Sequence, residues 1–576
     1  MKRWIRLGTL TWLLAIGFQL AGLSQSAPDR YWVQFEGKLS NELPEGYSTP
    51  YQLATPEAFL SPRSLARRAK QNIAISVRDI PIPPDYVDEI RAIPELKVIL
   101  SSRWFNAVTV ATTDSTFDPY SLLDLPFVHA VKSVLQIQAD SAAIDLDPVA
   151  GPKRNVALDS NVPDDYGSSW TGLEQLHADW LHGLGFRGEG LWIGVLDAGF
   201  EYVESLPVFE KAWQEGRILE GMDAMQSQGG LFAHHRHGTS VLGTMAGYLE
   251  DSLIGTAPDA TYVLYRTEDA YSEYLIEEDY WVAAAEHADS VGVDLINTSL
   301  GYSLFDDSTM NHSQDDLDGL TARISQAMTW AAECGILCVT SAGNSGNSPW
   351  HSITTPADAH GILSVGAVNA DDQHAAFSGW GPAADGRVKP EVMALGVQAA
   401  YPHADSTIRH GNGTSFASPI LCGAVACLWQ AFPTKSASEM RAAIIASAHL
   451  SETPNDSMGY GIPDLKRAFE LLDEGGAATW FSEPSSDELA MVFPNPATSW
   501  PLRWQYSGDQ HPNEWRLIEA SGRLVASGVI ESWISPEGVL QGWIAGPPQL
   551  SSGVYLLEWL ESSEHVGSMQ WVWNPQ

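Results

Sequence analysis

Apolar runs of strand length alternate with helical segments from residue 166 to about residue 475. The predicted strands span residues 191–196, 262–265, 295–299, 336–341 and 363–368. The predicted helices span residues 241–248, 278–290, 317–333 and 416–430. Uninterrupted apolar strands separated by helices are typical of a parallel sheet that helices cover on both faces. We therefore predict an α/β domain over residues 166–475, with a ligand site at the carboxyl edge of its sheet.

Three further regions accompany this domain. Residues 31–138 mix short β patterns with a helical stretch at 64–71, which predicts a small α+β domain. Residues 139–165 are rich in Asp, Pro and Ala and have no apolar period, so we predict an extended linker. Residues 480–576 alternate apolar and polar side chains between Ser-Gly and Gly-Pro turns, which predicts an antiparallel β-sandwich.

The first 26 residues have the order of a secretory signal peptide. Lys2, Arg3 and Arg6 precede an apolar run over residues 7–23, and small residues follow the run. The alternative is a membrane anchor, although the run is short for a spanning helix and contains polar side chains. We therefore expect a protein that is secreted or held at the cell surface.

Charge and cysteine content exclude some partners. The net charge of −39 argues against a nucleic-acid partner, because phosphate contacts need clustered Lys and Arg. Residues 31–138 carry 10 basic and 12 acidic side chains, so the negative charge is concentrated after residue 138. Cys334, Cys338, Cys422 and Cys427 fall in apolar segments at spacings unlike those of zinc sites. We predict buried free thiols, with disulfide pairing as the alternative.

Two motifs place an acid and a base near the predicted sheet edge. Asp197 follows the strand 191–196, where a carboxylate could orient a histidine. His237 opens the segment His-Gly-Thr-Ser, in which Gly238 leaves room beside the imidazole. Asp197 alone could equally cap a turn. Histidines 234, 235 and 237 could bind a metal, although no metal-ligand pattern accompanies them.

Two further motifs predict a nucleophile and a hydrogen-bond donor. Ser415 lies in Gly-Thr-Ser-Phe-Ala-Ser-Pro ahead of an apolar helix, and we expect Pro419 in the first turn of that helix. A helix N-terminus favours the anion that forms beside a serine in acyl transfer. Asn344 follows the predicted strand 336–341 in Ser-Ala-Gly-Asn-Ser-Gly, where its amide could donate to that oxyanion. A plain turn is the alternative for this segment.

Together these motifs resemble the subtilase family of serine proteases. The resemblance covers residues 166–475 and follows the subtilisin order Asp, His, Ser. It implies an endopeptidase in which Ser415 is the nucleophile, His237 the general base and Asp197 the acid that orients it, while Asn344 binds the oxyanion. It also implies a substrate-binding surface, to which a peptide adds as a strand, at Ser299, Leu300, Gly301, Ala342 and Gly343. Phe200 stands where many relatives have Ile or Val.

The flanking regions resemble parts of a secreted precursor. Residues 31–138 resemble subtilase propeptides of Bacteroidetes through the motifs at 59–61, 67–68, 79–81 and 102–108, which implies a folding aid and inhibitor. The C-terminal region resembles the sorting domain of the type IX secretion system through 493–497, 520–525 and 550–555, but it lacks the usual Lys-containing last strand. The implied partners are protein or peptide substrates, the chain's own propeptide and the secretion machinery. A carbohydrate-binding β-module is the alternative for the C-terminal region.

Two other functions compete with an active protease. A non-catalytic binding module could keep the same fold, but all four catalytic positions hold the required residue types. An esterase could use the same serine, but Ala417 breaks the Gly-x-Ser-x-Gly elbow of esterases. We predict no cofactor and no metal site. The pairs Asp306-Asp307 and Asp315-Asp316 leave calcium possible without a calcium-loop pattern.

Overall fold

A computed structural model describes residues 29–112, 114, 116–135 and 166–473, together with eight strands between residues 490 and 573. The predicted signal peptide and the predicted linker lie outside the described residues.

Residues 29–135 form a four-stranded antiparallel sheet with two helices. The strands are β1 (Asp29–Phe35), β2 (Leu96–Ser102), β3 (Ala107–Thr112) and β4 (Val128–Leu135), and the helices are α1 (Pro62–Lys70) and α2 (Pro84–Arg91). The strand order is β2-β3-β1-β4. The unit has a core of its own, in which the rings of Tyr86 and Phe127 stack at 4.2 Å. The predicted small α+β domain is therefore confirmed.

Seven parallel strands form the centre of residues 166–473. They are β5 (Trp192–Asp197), β6 (Ile218–Asp223), β9 (Thr261–Arg266), β10 (Leu295–Thr298), β11 (Leu337–Ser341), β12 (Leu363–Val368) and β13 (Val392–Leu395). Their order across the sheet is β13-β12-β11-β10-β5-β9-β6. Two short antiparallel pairs accompany them: β7 (Tyr248–Leu249) with β8 (Leu253–Ile254), and β14 (Ala399–Pro402) with β15 (Ile408–Gly411).

Helices cover both faces of this sheet. They are α3 (Trp170–Leu176), α4 (Ala178–Gly183), α5 (Glu210–Gln214), α6 (His237–Ala246), α7 (Ile276–Val291), α8 (Arg323–Glu333), α9 (Thr414–Ala431), α10 (Ala437–Ser447) and α11 (Leu465–Asp473). Alternate strand residues belong to different cores: Val195 packs with α6 and α9, whereas Leu196 packs with α7 and α8. The predicted parallel sheet with helices on both faces is therefore confirmed.

Helix α8 begins six residues later than the sequence predicted. The side chain of Asp318 accepts the backbone N–H groups of Leu320 and Thr321, and Gly319 has a φ of +78°. These features make a turn, so the predicted helix 317–333 starts only at Arg323.

Helix α9 and the cysteines belong to the interior. Within the described part of the chain, α9 is the one helix long and apolar enough to cross a membrane, and it is buried in the core. Cys422 and Cys427 lie in α9, Cys338 lies in β11 and Cys334 directly follows α8. All four cysteines are buried and free, as predicted.

The described C-terminal strands form two antiparallel sheets. They are β16 (Ala490–Phe493), β17 (Leu502–Tyr506), β18 (Glu514–Glu519), β19 (Leu524–Val529), β20 (Glu531–Ile534), β21 (Leu540–Ile544), β22 (Gly553–Glu561) and β23 (Glu564–Trp573). The strand orders are β16-β17-β21-β20 and β19-β18-β22-β23. Packing of these two sheets into a sandwich stays a prediction.

Candidate active site

The carboxyl ends of β5 and β10 lie side by side where the strand order reverses. Leu196 of β5 pairs with Thr298 of β10, so Asp197 and Ser299 emerge at the same sheet edge. Strands that follow β10 in the chain lie on one side of this point, and β9 and β6 lie on the other. Such a switch point leaves a crevice above the sheet, in which α/β proteins bind ligands.

Asp197 and His237 are joined by a hydrogen bond. Atom Oδ1 of Asp197 lies 2.8 Å from Nδ1 of His237, and the imidazole N–H donates because a carboxylate only accepts. The Asp197 side chain is 1% exposed and that of His237 10% exposed. The buried Oδ2 of Asp197 has no hydrogen-bond partner among the described residues. A carboxylate in this position stabilises a positive imidazole, and the bond leaves Nε2 as the other site of proton exchange.

Gly238 makes this approach possible. A Cβ added to Gly238 would lie 2.6 Å from the carbonyl oxygen of Gly199 and 3.0 Å from Cβ of Asp197. Any larger residue would push α6 away from the end of β5. The glycine that the sequence singled out therefore has a packing reason.

Ser415 and Asn344 border one small space at the start of α9. Ser415 is the second residue of α9. A Cβ added to Gly413 would lie 2.9 Å from Oγ of Ser415 and 3.7 Å from Nδ2 of Asn344. A hydroxyl and an amide donor thus lie within reach of a single reacting group.

The orientation of the Asn344 amide follows from its partners. Its Oδ1 accepts the backbone N–H and the hydroxyl of Thr414, both at 2.9 Å. A backbone N–H can only donate, so the carbonyl end of the amide must face Thr414. Asn344 therefore satisfies a free N–H at the N-terminus of α9, and its NH₂ group remains for another acceptor.

Pro419 lies in the interior of α9, and the prediction that it lies in the first turn is wrong. Its ring nitrogen has no hydrogen to donate to the carbonyl of Ser415, four residues earlier. The hydroxyl of Ser299 donates to that carbonyl instead, at 3.0 Å. The helix therefore tolerates the proline because a side chain from the end of β10 replaces the missing bond.

Asn297 and Ser418 complete a buried polar network that sequence reasoning missed. Asn297 donates through Nδ2 to Oγ of Ser299, at 3.0 Å, and accepts through Oδ1 from the hydroxyl of Ser418, at 2.8 Å. All three side chains are buried. Together they join the end of β10 to the first turns of α9. The signal was a pair of polar residues inside otherwise apolar elements, which needed partners.

The predicted substrate-binding segments 299–301 and 342–343 lie next to each other. The hydroxyl of Ser341 donates to the carbonyl of Leu300 at 3.2 Å. A Cβ would lie 2.2 Å from Oγ1 of Thr354 if added to Gly301, and 2.8 Å if added to Gly343. Both glycines are therefore needed for packing against Thr354.

The side chains of these segments do not all face outward. Ser299 is directed at α9, and Ala342 is buried against Leu317 and Ile353. Gly301 is exposed and Gly343 is half-buried. What these segments can offer a substrate is thus mainly backbone.

Three carboxyl groups lie beside this region. Single oxygens of Glu268, Glu273 and Glu277 lie within 4.8 Å of one another, and the hydroxyl of Tyr302 donates to Glu268 at 2.5 Å. Burial raises the pKa of Glu268 to about 7, with the negative charge of Asp197 adding to the effect. Burial also raises the pKa values of Glu273 and Glu277 well above their usual range. This cluster therefore holds protons that exposed carboxyl groups would lose.

The acids considered for calcium make local hydrogen bonds. Asp307 accepts the backbone N–H of Thr309 at 2.9 Å, and Asp316 accepts that of Ser313 at 2.7 Å. Both carboxylates therefore stabilise short turns. Of the other candidate metal ligands, Nδ1 of His235 accepts the backbone N–H of His237 at 3.2 Å.

Two family models match the chain. Residues 188–461 match the model of the subtilase family, and residues 30–145 match the peptidase S8 propeptide domain of Bacteroidota. Neither match reaches residues 480–576, where the sorting-domain resemblance was noted.

Known proteins resemble the same part of the chain. Subtilisin DY of Bacillus licheniformis is 30% identical over 292 residues, which is 50% of this chain and 94% of that protein. Human membrane-bound transcription factor site-1 protease is 28% identical over 322 residues, which is 52% of this chain and only 27% of that protein. Among solved structures, MycP3 protease from the type VII (ESX-3) secretion system shows 22% identity and a TM-score of 0.42, covering 54% of this chain and 90% of that one.

Proposed function

Because this chain belongs to the subtilase family and is a serine endopeptidase, we propose that Asp197, His237 and Ser415 form its catalytic triad and that Asn344 binds the oxyanion. The observation that carries this proposal is the buried Asp197–His237 hydrogen bond at the switch point of the sheet. The space shared by Oγ of Ser415 and Nδ2 of Asn344 supports it.

The proposed reaction is acyl transfer to Ser415. Its Oγ forms a bond to the carbonyl carbon of the scissile peptide while His237 takes the hydroxyl proton. The resulting oxyanion accepts hydrogen bonds from Nδ2 of Asn344 and from the backbone N–H of Ser415. His237 then gives its proton to the leaving amine, the C–N bond breaks, and water hydrolyses the acyl-enzyme through the same proton exchange.

The proposed substrates are proteins and peptides that bind in an extended form. The exposed backbone at Gly301 and the half-buried backbone at Gly343 support pairing with a substrate strand, which would lie across the ends of β10 and β11. Pairing through backbone requires no particular side chain. Preference for one peptide over another would then come from the walls of the crevice.

We further propose that the chain is a secreted precursor that cleaves itself. The propeptide match over residues 30–145 supports a precursor, and the order of basic, apolar and small residues at the N-terminus supports export. Cleavage is proposed within residues 138–165, since the sequence predicts an extended linker there and a linker of the same molecule has a high effective concentration at the crevice. We also propose that the C-terminal region contacts the secretion machinery, which its resemblance to a sorting domain over residues 493–497, 520–525 and 550–555 supports.

Ser415→Ala tests both parts. We expect the purified wild-type chain to react with a serine-directed fluorophosphonate and to be cut within residues 138–165, and Ser415→Ala to do neither. Ser438→Ala, which changes an exposed serine of α10, is the matched control and should behave as wild type. Labelling of Ser415→Ala at the wild-type level would contradict the triad. Cutting of Ser415→Ala at the same place, with no other protease present, would contradict self-processing alone.

A further inference from the structure

Residues 29–135 lie against the face of the protease domain that α7 and α8 form. Phe105 packs against Trp330 of α8, with ring centroids 4.6 Å apart. The hydroxyl of Thr109 donates to Asp279 of α7 at 3.0 Å. Glu286 of α7 accepts the backbone N–H of Arg103 at 2.8 Å. The contact therefore extends along both helices.

Five arginines of residues 29–135 reach carboxylates of the protease domain. The ion pairs are Arg63–Asp294, Arg67–Asp289, Arg68–Asp289, Arg103–Asp289 and Arg78–Glu333. Residues 31–138 contain only 10 basic side chains, so half of them lie at this one contact. A nearly neutral unit thus presents a basic face to an acidic one.

Asp289 is the centre of this contact. Its side chain is 0% exposed, and those of Arg67, Arg68 and Arg103 are 3%, 2% and 11% exposed. Burial alone would raise the pKa of Asp289, but the three guanidinium groups lower it below its usual range. Arg67 also donates to the carbonyl of Val293 at 2.6 Å. Arg68 also pairs with Asp79 of its own unit at 2.7 Å, whereas the carboxylate of Asp289 is neutralised from the other side of the contact.

Two tryptophans add a geometric requirement. The guanidinium carbon of Arg63 lies 4.7 Å from the ring centroid of Trp192, and that of Arg78 lies 4.4 Å from the ring centroid of Trp330. A planar guanidinium can stack on a ring and still donate in its own plane to a carboxylate, whereas a lysine ammonium is a point charge. The contact thus discriminates arginine from lysine.

We propose that Asp289, Asp294, Glu333, Trp192 and Trp330 form an arginine-selective binding surface that keeps the propeptide on the protease domain after the linker is cut. The inference rests on the proposed precursor and names what holds its two parts together. The occupant is residues 29–135 of the chain itself, because their arginines occupy the surface. Release then requires Arg67, Arg68 and Arg103 to leave one buried carboxylate together, so cleavage of the linker alone does not expose the enzyme.

The test uses the full chain carrying Ser415→Ala and the recognition sequence of an unrelated protease inserted within residues 139–165. After cutting by that protease, size-exclusion chromatography follows how fast the N-terminal fragment leaves the rest. No step depends on Ser415, so a failure here is distinguishable from a failure of the proposed catalytic function.

Asp289→Asn should release the fragment roughly 10²-fold faster, since breaking a buried ion pair leaves uncompensated charges and such losses appear mainly in the dissociation rate. The double variant Arg67→Lys with Arg103→Lys keeps the charge but not the fork geometry, and it should release the fragment at least about tenfold faster. Arg91→Met is the matched control: this side chain is 60% exposed and pairs with Asp88 of its own unit, so release should be unchanged.

Two results would overturn the proposal. Asp289→Asn releasing at the rate of Arg91→Met would show that apolar contacts hold the fragment. The lysine double variant releasing at the reference rate would show that the surface binds any cation. The lysine variant also decides the matter if Asp289→Asn does not fold, because it retains every charge.

Discussion

Asn344→Ala should impair both catalysis and stability, because the side chain has two separate tasks. Its Oδ1 accepts two hydrogen bonds from Thr414, and its Nδ2 borders the space beside Oγ of Ser415. Loss of an oxyanion donor typically lowers kcat by about 10²–10³ and changes KM little. Loss of the single acceptor of both Thr414 hydrogen bonds at a buried helix start should cost about 1–3 kcal/mol of unfolding free energy, which lowers Tm by several degrees.

Asn344→Asp separates the two tasks. The carboxylate keeps an acceptor for both hydrogen bonds from Thr414, so Tm should stay close to that of the wild type. It has no N–H to donate and adds a negative charge beside the oxyanion, so kcat should fall at least as far as in Asn344→Ala. Thr414→Val removes only the hydroxyl bond and should leave kcat nearly unchanged. The assays are kcat and KM with a chromogenic peptide after active-site titration, and Tm by calorimetry. An Asn344→Asp enzyme with more than a third of the wild-type kcat would refute the role assigned to the amide.

Two further predictions concern buried groups. Ser299→Ala should cost about 1–3 kcal/mol of unfolding free energy, because Pro419 cannot replace the lost bond to the Ser415 carbonyl. Ser299→Thr, which keeps a hydroxyl, is the control in calorimetry. Equal Tm values for Ser299→Ala and Ser299→Thr would contradict the reasoning. The raised pKa of Glu268, about 7, means that the native state holds a proton that the unfolded chain loses near pH 4.5, so stability should fall as pH rises through this window. Glu268→Gln should reduce the fall in Tm between pH 5 and pH 7.5, whereas Glu452→Gln at an exposed position should not. If the pH dependence of Tm in Glu268→Gln is the same as in the wild type, the raised pKa does not belong to Glu268.

Asp197, His237, Asn344 and Ser415 could be proposed as site residues from the sequence because each ends or follows a strand or lies at the start of a helix. Apolar runs define where strands end, and parallel strands bring their carboxyl ends to one edge. The short motifs around these residues also contain glycines, and Gly238 shows why: it lies where two backbone segments nearly touch. At these positions the short sequence motifs and the tertiary packing agree, so the motifs alone are enough to predict that these residues lie near the carboxyl edge of the sheet.

The direction of a side chain depends on partners that are distant in sequence, so local reasoning did not give the direction of the Ser299 hydroxyl. Ser299 stays a predicted part of the substrate-binding surface through its backbone, and its hydroxyl is directed at a carbonyl 116 residues later. The Ser415 carbonyl needs the Ser299 hydroxyl because Pro419 has no N–H to donate to it. Pro419 was predicted in the first turn of α9, but it lies in the interior of the helix. Neither residue reveals the link alone, because a proline inside a helix is tolerated only where another group replaces its missing bond.

Net charge gives still less information about the contact between the propeptide and the protease domain. The near-neutral charge of residues 31–138 does not indicate where their basic side chains lie. The structure shows that five arginines of this unit lie at one contact, with three of them on a carboxylate more than 180 residues away in sequence. A buried carboxylate on α7 would be unfavourable in a domain that folded without these arginines. We therefore expect the face of α7 around Asp289 to form less favourably in a protease domain that lacks residues 29–135 than in the full chain.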